Sequence, residues 1–120
     1  MTRIAPLGLA LARTLAIVAL AVSLWAGFIW NVMAAGPVNV SQKERTFQPG
    51  RLEIAKGDLV RLHNDDDELI HHAYIASDGF DFDSGEQGAG SVTDVRFTRA
   101  GTFSVRCRVH PRMLLVVTVK

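Results

Sequence analysis

The sequence predicts an all-β protein, a β-sandwich of about seven short strands, preceded by one apolar N-terminal helix that serves export or anchoring. Three observations carry this. After residue 36, short runs alternate apolar with polar residues, and turn-forming residues interrupt them roughly every 8–12 positions. No stretch beyond residue 36 holds a 3.6-residue period. In front of it, residues 14–38 carry no formal charge, and Leu15–Val22 and Leu24–Ile29 are almost wholly apolar.

The first segment reads as a targeting element. Arg3 and Arg13 precede the apolar run, and Ala34, Ala35 and Gly36 close it. A charged start, an apolar middle and small residues at the end make an export signal. The run is also long enough to span a bilayer, for which about 20 apolar residues suffice. Trp25 and Trp30 would then sit at the interface, with the arginine-bearing end inside. Residues 1–35 are therefore expected to be a cleaved signal peptide or a retained membrane tether through 14–35, and residues 36–120 a periplasmic or otherwise extracytoplasmic domain. A buried core helix is not expected, because it would be apolar all round in a domain too small to enclose it.

Along the domain, Val38-Asn39-Val40 alternates as a short first strand, and Lys43-Glu44-Arg45 is a charged turn. Phe47-Gln48-Pro49-Gly50 is punctuated like a loop. Leu52–Ile54 and Val60–Leu62 read as two strands joined by a turn at Gly57. Asn64–Glu68 is too polar for a strand, and its four adjacent carboxylates should be solvated. Leu69–Ala76 resumes an apolar pattern. Phe80–Gly85 alternates aromatic and acid, as a half-buried edge does. Val92–Phe97, Thr102–Cys107 and Leu114–Lys120 complete the strands.

Residues 36–120 hold 11 of the 13 basic residues and all 12 acidic ones, for a net charge of −1. Nucleic-acid binding, which needs a basic footprint, is not indicated. The single cysteine excludes an intrachain disulfide, so this small exported domain lacks the usual staple. A lone cysteine in such a chain pairs between molecules, stays free, or binds a metal. Paired catalytic carboxylates, a nucleophile–base pair and a phosphate loop are all missing, and no catalytic role is expected.

The tail offers chemistry. Cys107, His110 and Met113 follow one another at three-residue spacing on a loop between two strands. They are a thiolate, an imidazole and a thioether. A redox-active copper site needs a thiolate, two imidazoles and a weak axial sulfur. The second imidazole must come from His63, His71 or His72. His71 shares the parity of Ala73 and Ile75 and should face inward, whereas His72 shares that of Tyr74 and should face outward. His71 is the choice and His72 the alternative. His63 reads as an ordinary surface histidine. The bland alternatives are a buried structural Cys107 and a core-packing Met113.

Together, the Cys107-x-x-His110-x-x-Met113 tail, the upstream histidine after a polar turn, Phe47-x-Pro49 and Gly57-Asp58-x-Val60 resemble the cupredoxins, closest to the small amicyanin- and plastocyanin-like blue copper proteins. The resemblance covers Val38 to Lys120. It implies a Greek-key sandwich with one copper ion at one end, held by His71, Cys107, His110 and Met113. It also implies a monomeric carrier of single electrons between redox partners such as cytochrome c or a dehydrogenase or oxidase, with the exit at the exposed edge of His110 beside Pro111 and Leu114. Two positions depart from the family. Members commonly carry asparagine after the first histidine and a hydroxyl residue after the cysteine, which tie the ligand loops together; here these are His72 and Arg108. A site without those ties would suit a copper carrier that delivers the ion to an exported oxidase. A metal-free or zinc-bound interaction module is the third reading. Asp65–Glu68 is most simply a solvated turn, or else an acidic patch steering a basic partner such as cytochrome c. Arg106, Arg108 and Arg112 crowd the ligand loop and would draw an acidic one.

Overall fold

The alternating runs become nine strands in two sheets. The computed structural model describes residues 35–120; the apolar segment at 14–35 and the boundary drawn for it lie outside the described residues, apart from Ala35. The strands are β1 (Val38–Lys43), β2 (Thr46–Gln48), β3 (Arg51–Ile54), β4 (Leu59–Asn64), β5 (Ala73–Ile75), β6 (Phe82–Asp83), β7 (Val92–Arg96), β8 (Gly101–Cys107) and β9 (Leu114–Val119). One sheet runs β2-β1-β4-β7 and the other β3-β9-β8-β5-β6. The all-β sandwich expected from the sequence is the architecture, and there is no helix among the described residues.

Strand parity decides what faces the interior. Val60, Leu62 and Asn64 alternate inward on β4, as do Phe103, Val105 and Cys107 on β8 and Leu115, Val117 and Val119 on β9. Each fully buried valine, leucine or phenylalanine among them contributes about 1.5–3 kcal/mol. β8 and β9 form the long antiparallel pair of the second sheet, in register from Gly101↔Val119 to Arg106↔Leu114. β5 joins the other side of β8 at Ala73↔Cys107.

Four details differ from the sequence reading. β1 extends to Lys43, because Gln42 turns inward and is fully buried although polar, with neither end of its amide bonded. Phe47 lies in a strand, not a loop. The 69–76 run contributes only a three-residue strand, because the segment before it is shaped by side-chain bonds described below. β3 and β4 do not pair with each other. Gly57 makes the turn at φ 96, a conformation open chiefly to glycine. The strands then part: β3 pairs in parallel with β9, and β4 in parallel with β1.

At one end of the sandwich Phe80, Phe97 and Phe103 pack together, with ring centroids 5.0–5.8 Å apart. Cys107 lies four residues beyond Phe103 on β8, about 13 Å along the strand at ~3.3 Å per residue. The aromatic cluster therefore closes the end opposite Cys107. Phe97 is completely buried. Phe97→Ala should cost about 3–5 kcal/mol, read as a lower midpoint in denaturant.

Candidate metal centre

Cys107 is the last residue of β8, inward-facing and 2% exposed. Its sulfur accepts a bond from the His72 backbone N–H at 3.4 Å. The next backbone N–H, of Arg108, donates to the His72 carbonyl at 3.0 Å. The end of β8 is thus laced to the segment before β5, which brings His71 to the thiol.

His71 is wholly buried. Its backbone exchanges both hydrogen bonds with Gln87, at 3.0 and 2.8 Å. The Gln87 side chain then accepts from the Ala73 N–H at 3.2 Å and donates to Thr93 at 3.0 Å. Asn64, the inward end of β4, brackets the approach. Its amide donates to the carbonyls of Leu69 and Gln87 at 2.8 and 2.9 Å, and its oxygen accepts from the Asp66 N–H at 3.0 Å. This turns Asp66 inward. The expectation that all four acidic residues are solvated therefore fails at Asp66, whose side chain is 9% exposed.

The Asp66 carboxylate has two partners. One oxygen accepts the Glu44 backbone N–H at 3.0 Å, and the other lies 2.7 Å from His71 Nε2. Burial alone would raise the Asp66 carboxyl; the bonds from Glu44 and then His71 outweigh it and hold the group below the ordinary carboxylate value. A charged Asp66 keeps the ring proton of His71 on Nε2, which leaves Nδ1 as the free donor. That Nδ1 lies 3.9 Å from the Cys107 sulfur.

His110 arrives from the β8–β9 loop, where the Met113 N–H closes a turn onto its carbonyl at 3.0 Å. Its Nδ1 is 3.7 Å from the same sulfur, and its ring centroid is 5.0 Å from that of His71. Burial, then the neighbouring His71 and Arg45, lower the His110 pKa and favour a neutral, ligating ring. Met113 is 1% exposed and belongs to the same buried cluster as Cys107.

The three donor atoms of His71, Cys107 and His110 lie within 4.8 Å of one another. Bonds of about 2.0 Å to nitrogen and 2.3 Å to sulfur in a trigonal plane require nitrogen–sulfur separations of about 3.8 Å. The sulfur–nitrogen distances of 3.7 and 3.9 Å suit one ion at bonding distance from both. A thiolate with two imidazoles is the borderline-soft set that suits copper or zinc.

His72 points away from the sulfur, half-buried on the outer side. There Asp83 gathers the two positions that depart from the family pattern. Its carboxylate bonds His72 Nε2 through one oxygen. Through the other it accepts from Arg108 Nε and Nη2 at 3.2 and 3.0 Å. The Arg108 guanidinium also lies 4.3 Å from the centre of the Tyr74 ring. The residues after the first histidine and after the cysteine are thus tied by a shared carboxylate in place of an asparagine–hydroxyl pair. The Gly85 N–H, then His72 and Arg108, hold the Asp83 carboxyl down to about 2. A depressed carboxyl stabilises the fold above its ordinary value of 3.8 and loses that effect as the pH falls through about 2. Wild type and Asp83→Ala should therefore differ in denaturant midpoint at neutral pH and converge near pH 2. His63, at the surface, bonds Asn39 at 2.9 Å and takes no part.

Asp66, Asn64, Gln87 and Asp83 were not singled out from the sequence. The one available signal was chemical: a ligating imidazole needs an acceptor on its second nitrogen, and the carboxylates nearest His71 in sequence precede it in the acidic turn.

No family model and no curated protein matches this chain. Solved structures do. The Cu-containing nitrite reductase from Thermus scotoductus SA-01 is similar at 28% identity and a TM-score of 0.64, over 70% of this chain and 22% of that one. The chain thus corresponds to about a fifth of that enzyme's length. A reduced amicyanin variant is similar at 22% identity and TM-score 0.65, over 75% of this chain and 88% of amicyanin. The Cu(I) form of a second amicyanin variant gives the same figures, 22%, 0.65, 75% and 88%. With its two sheets and the His71, Cys107, His110 cluster at one end, this chain has a cupredoxin fold.

Proposed function

We propose that this chain is an exported type 1 copper protein that carries single electrons between redox partners. The observation that carries the reading is the approach of His71 Nδ1 and His110 Nδ1 to Cys107 Sγ, at 3.9 and 3.7 Å, on a cupredoxin fold. Met113, buried on the same loop, would offer a thioether as a further, weaker donor to the ion. Bound copper would contribute a one-electron couple. The chain's own residues do the rest. Asp66 holds the His71 proton on Nε2, Asn64 and Gln87 fix the His71 backbone, and burial keeps His110 neutral. Four protein ligands would leave no metal position open for a substrate, so the chain is not an enzyme in this reading. Export rests on the N-terminal apolar segment of the sequence. The domain works as a monomer between a cytochrome c, dehydrogenase or oxidase and a second redox protein.

The purified protein loaded with Cu(II) should show intense visible absorption and a reversible one-electron wave; a colourless protein would overturn the reading. The copper-delivery alternative drew on the lack of ties between the ligand loops. Asp83 supplies such a tie through His72 and Arg108, which favours retention over release. A modest chelator should therefore remove Cu(I) slowly. Asp66→Ala should lower copper affinity by about 10–100-fold, measured by competition with a chelator, while the circular dichroism of the fold is unchanged.

A further inference from the structure

We propose that the surface over His110 docks the acidic face of a partner protein, with Arg45 and Arg112 as the charged contacts and Val109 and Pro111 as the apolar centre. The proposal names the partner chemistry of the electron-carrier reading and rests on that reading.

Arg45, Val109, His110, Pro111 and Arg112 line an open concavity of about 400 Å³. Val109 is 52% exposed there, and Leu114, 39% exposed, follows beyond the loop as the first residue of β9. An exposed apolar centre with a charged rim is the anatomy of a non-obligate protein interface. All the charge on the rim is positive. No acidic residue lines the concavity, and neither Arg45 nor Arg112 forms an ion pair among the described residues, whereas Arg61 and Arg108 do. Arg108, though next to Cys107, is neutralised by Asp83 and is not counted among the contacts.

None of the acidic residues 65–68 lines the concavity. Asp66, which could have supplied negative charge beside His71, is turned inside onto it. Asp65 is engaged by the Ser41 hydroxyl at 2.5 Å. A basic partner steered by residues 65–68 would meet a cationic rim at His110.

Arg45 is held in place by an unusual turn. Glu44 and Arg45 both have positive φ, 51 and 60. A tight hairpin needs this of its central pair, and Asn-Gly is the low-energy choice. Two non-glycine residues there cost of order 1 kcal/mol each. The turn serves two ends: the Glu44 N–H fixes Asp66, and the Arg45 side chain comes to the rim beside His110.

The test is an amide-resolved NMR titration of the metal-free full chain with hexaglutamate and, separately, hexalysine, at low salt. Hexaglutamate should shift the amides of Arg45, Val109, His110 and Arg112 saturably, and salt should suppress the effect. Arg112→Glu and Arg45→Glu should each weaken binding about tenfold or more. Because Arg112 is exposed on the loop, its variant should melt like wild type and keeps the test sound should Arg45→Glu disturb the turn. Hexalysine binding at these residues, shifts scattered over all the arginines, or no saturable shift with hexaglutamate would overturn the proposal. So would binding of the small trianion hexacyanochromate alone, which would leave only an anion pocket. The readout needs no copper, so it fails independently of the blue absorption that tests the metal site.

Discussion

Replacing His71 with alanine should abolish the intense visible band of the copper-loaded protein, and replacing His72 should leave it. The two histidines are adjacent, yet parity separates them completely. His71 is fully buried with Nδ1 3.9 Å from the Cys107 sulfur, while His72 reaches outward to Asp83. Losing His71 removes one of three strong donors and leaves one oxygen of Asp66 without its partner. The affinity loss should exceed the 10–100-fold expected for losing an outer partner alone, so the site should no longer load at stoichiometric copper. His72→Ala should instead act through the Asp83 tie, with a modest change in the position of the band or the potential. The reverse pattern would show that His72 is the ligand and that the inward face has been misassigned.

The second large effect is on stability. The donors lie 36 residues apart in sequence, on the lead-in to β5 and at the end of β8, and an ion joining them exists only in the folded protein. A ligand that binds only the folded state at 1,000 times its dissociation constant adds about 4 kcal/mol. For a domain of this size each kcal/mol moves the melting temperature by roughly 4–8 °C. Copper-loaded protein should therefore melt roughly 15–30 °C above the metal-free form in calorimetry, and Cys107→Ala should erase the difference. Equal melting temperatures would mean that the ion does not bridge the two segments. With a single cysteine and so no disulfide within the domain, this bridge would act as its staple.

How much of this was legible in the sequence depends on the range of the interaction. Parity is local, and it correctly turned Ala73 and Ile75 inward and Tyr74 outward. Alternation likewise found the strands at 52–54, 60–62 and 102–107. It failed where an inward residue is polar: with Gln42 inward, the apparent pattern of β1 ended at Val40, three residues before the strand does. Pairing was not legible at all, because a period of two says which face is buried and not which strand lies alongside. The parallel pairs β1–β4 and β3–β9 have no local signature.

The same limit hid the supporting shell of the site. Any of four consecutive acidic residues looks solvated. Asp66 differs only because Asn64 catches its N–H and because Glu44, 22 residues earlier, offers a backbone donor. Asp83 is 11 residues from His72 and 25 from Arg108. From the sequence, positions 72 and 108 could be seen only as departures from a family pattern. The fold shows both held by one carboxylate.

Copper K-edge X-ray absorption on the loaded protein tests the central claim most directly, because it reports which atoms surround the metal. Two nitrogen neighbours at about 2.0 Å and one sulfur neighbour at a short, thiolate-like distance are expected, with the sulfur shell lost in Cys107→Ser. A spectrum of nitrogen and oxygen neighbours alone would contradict the account.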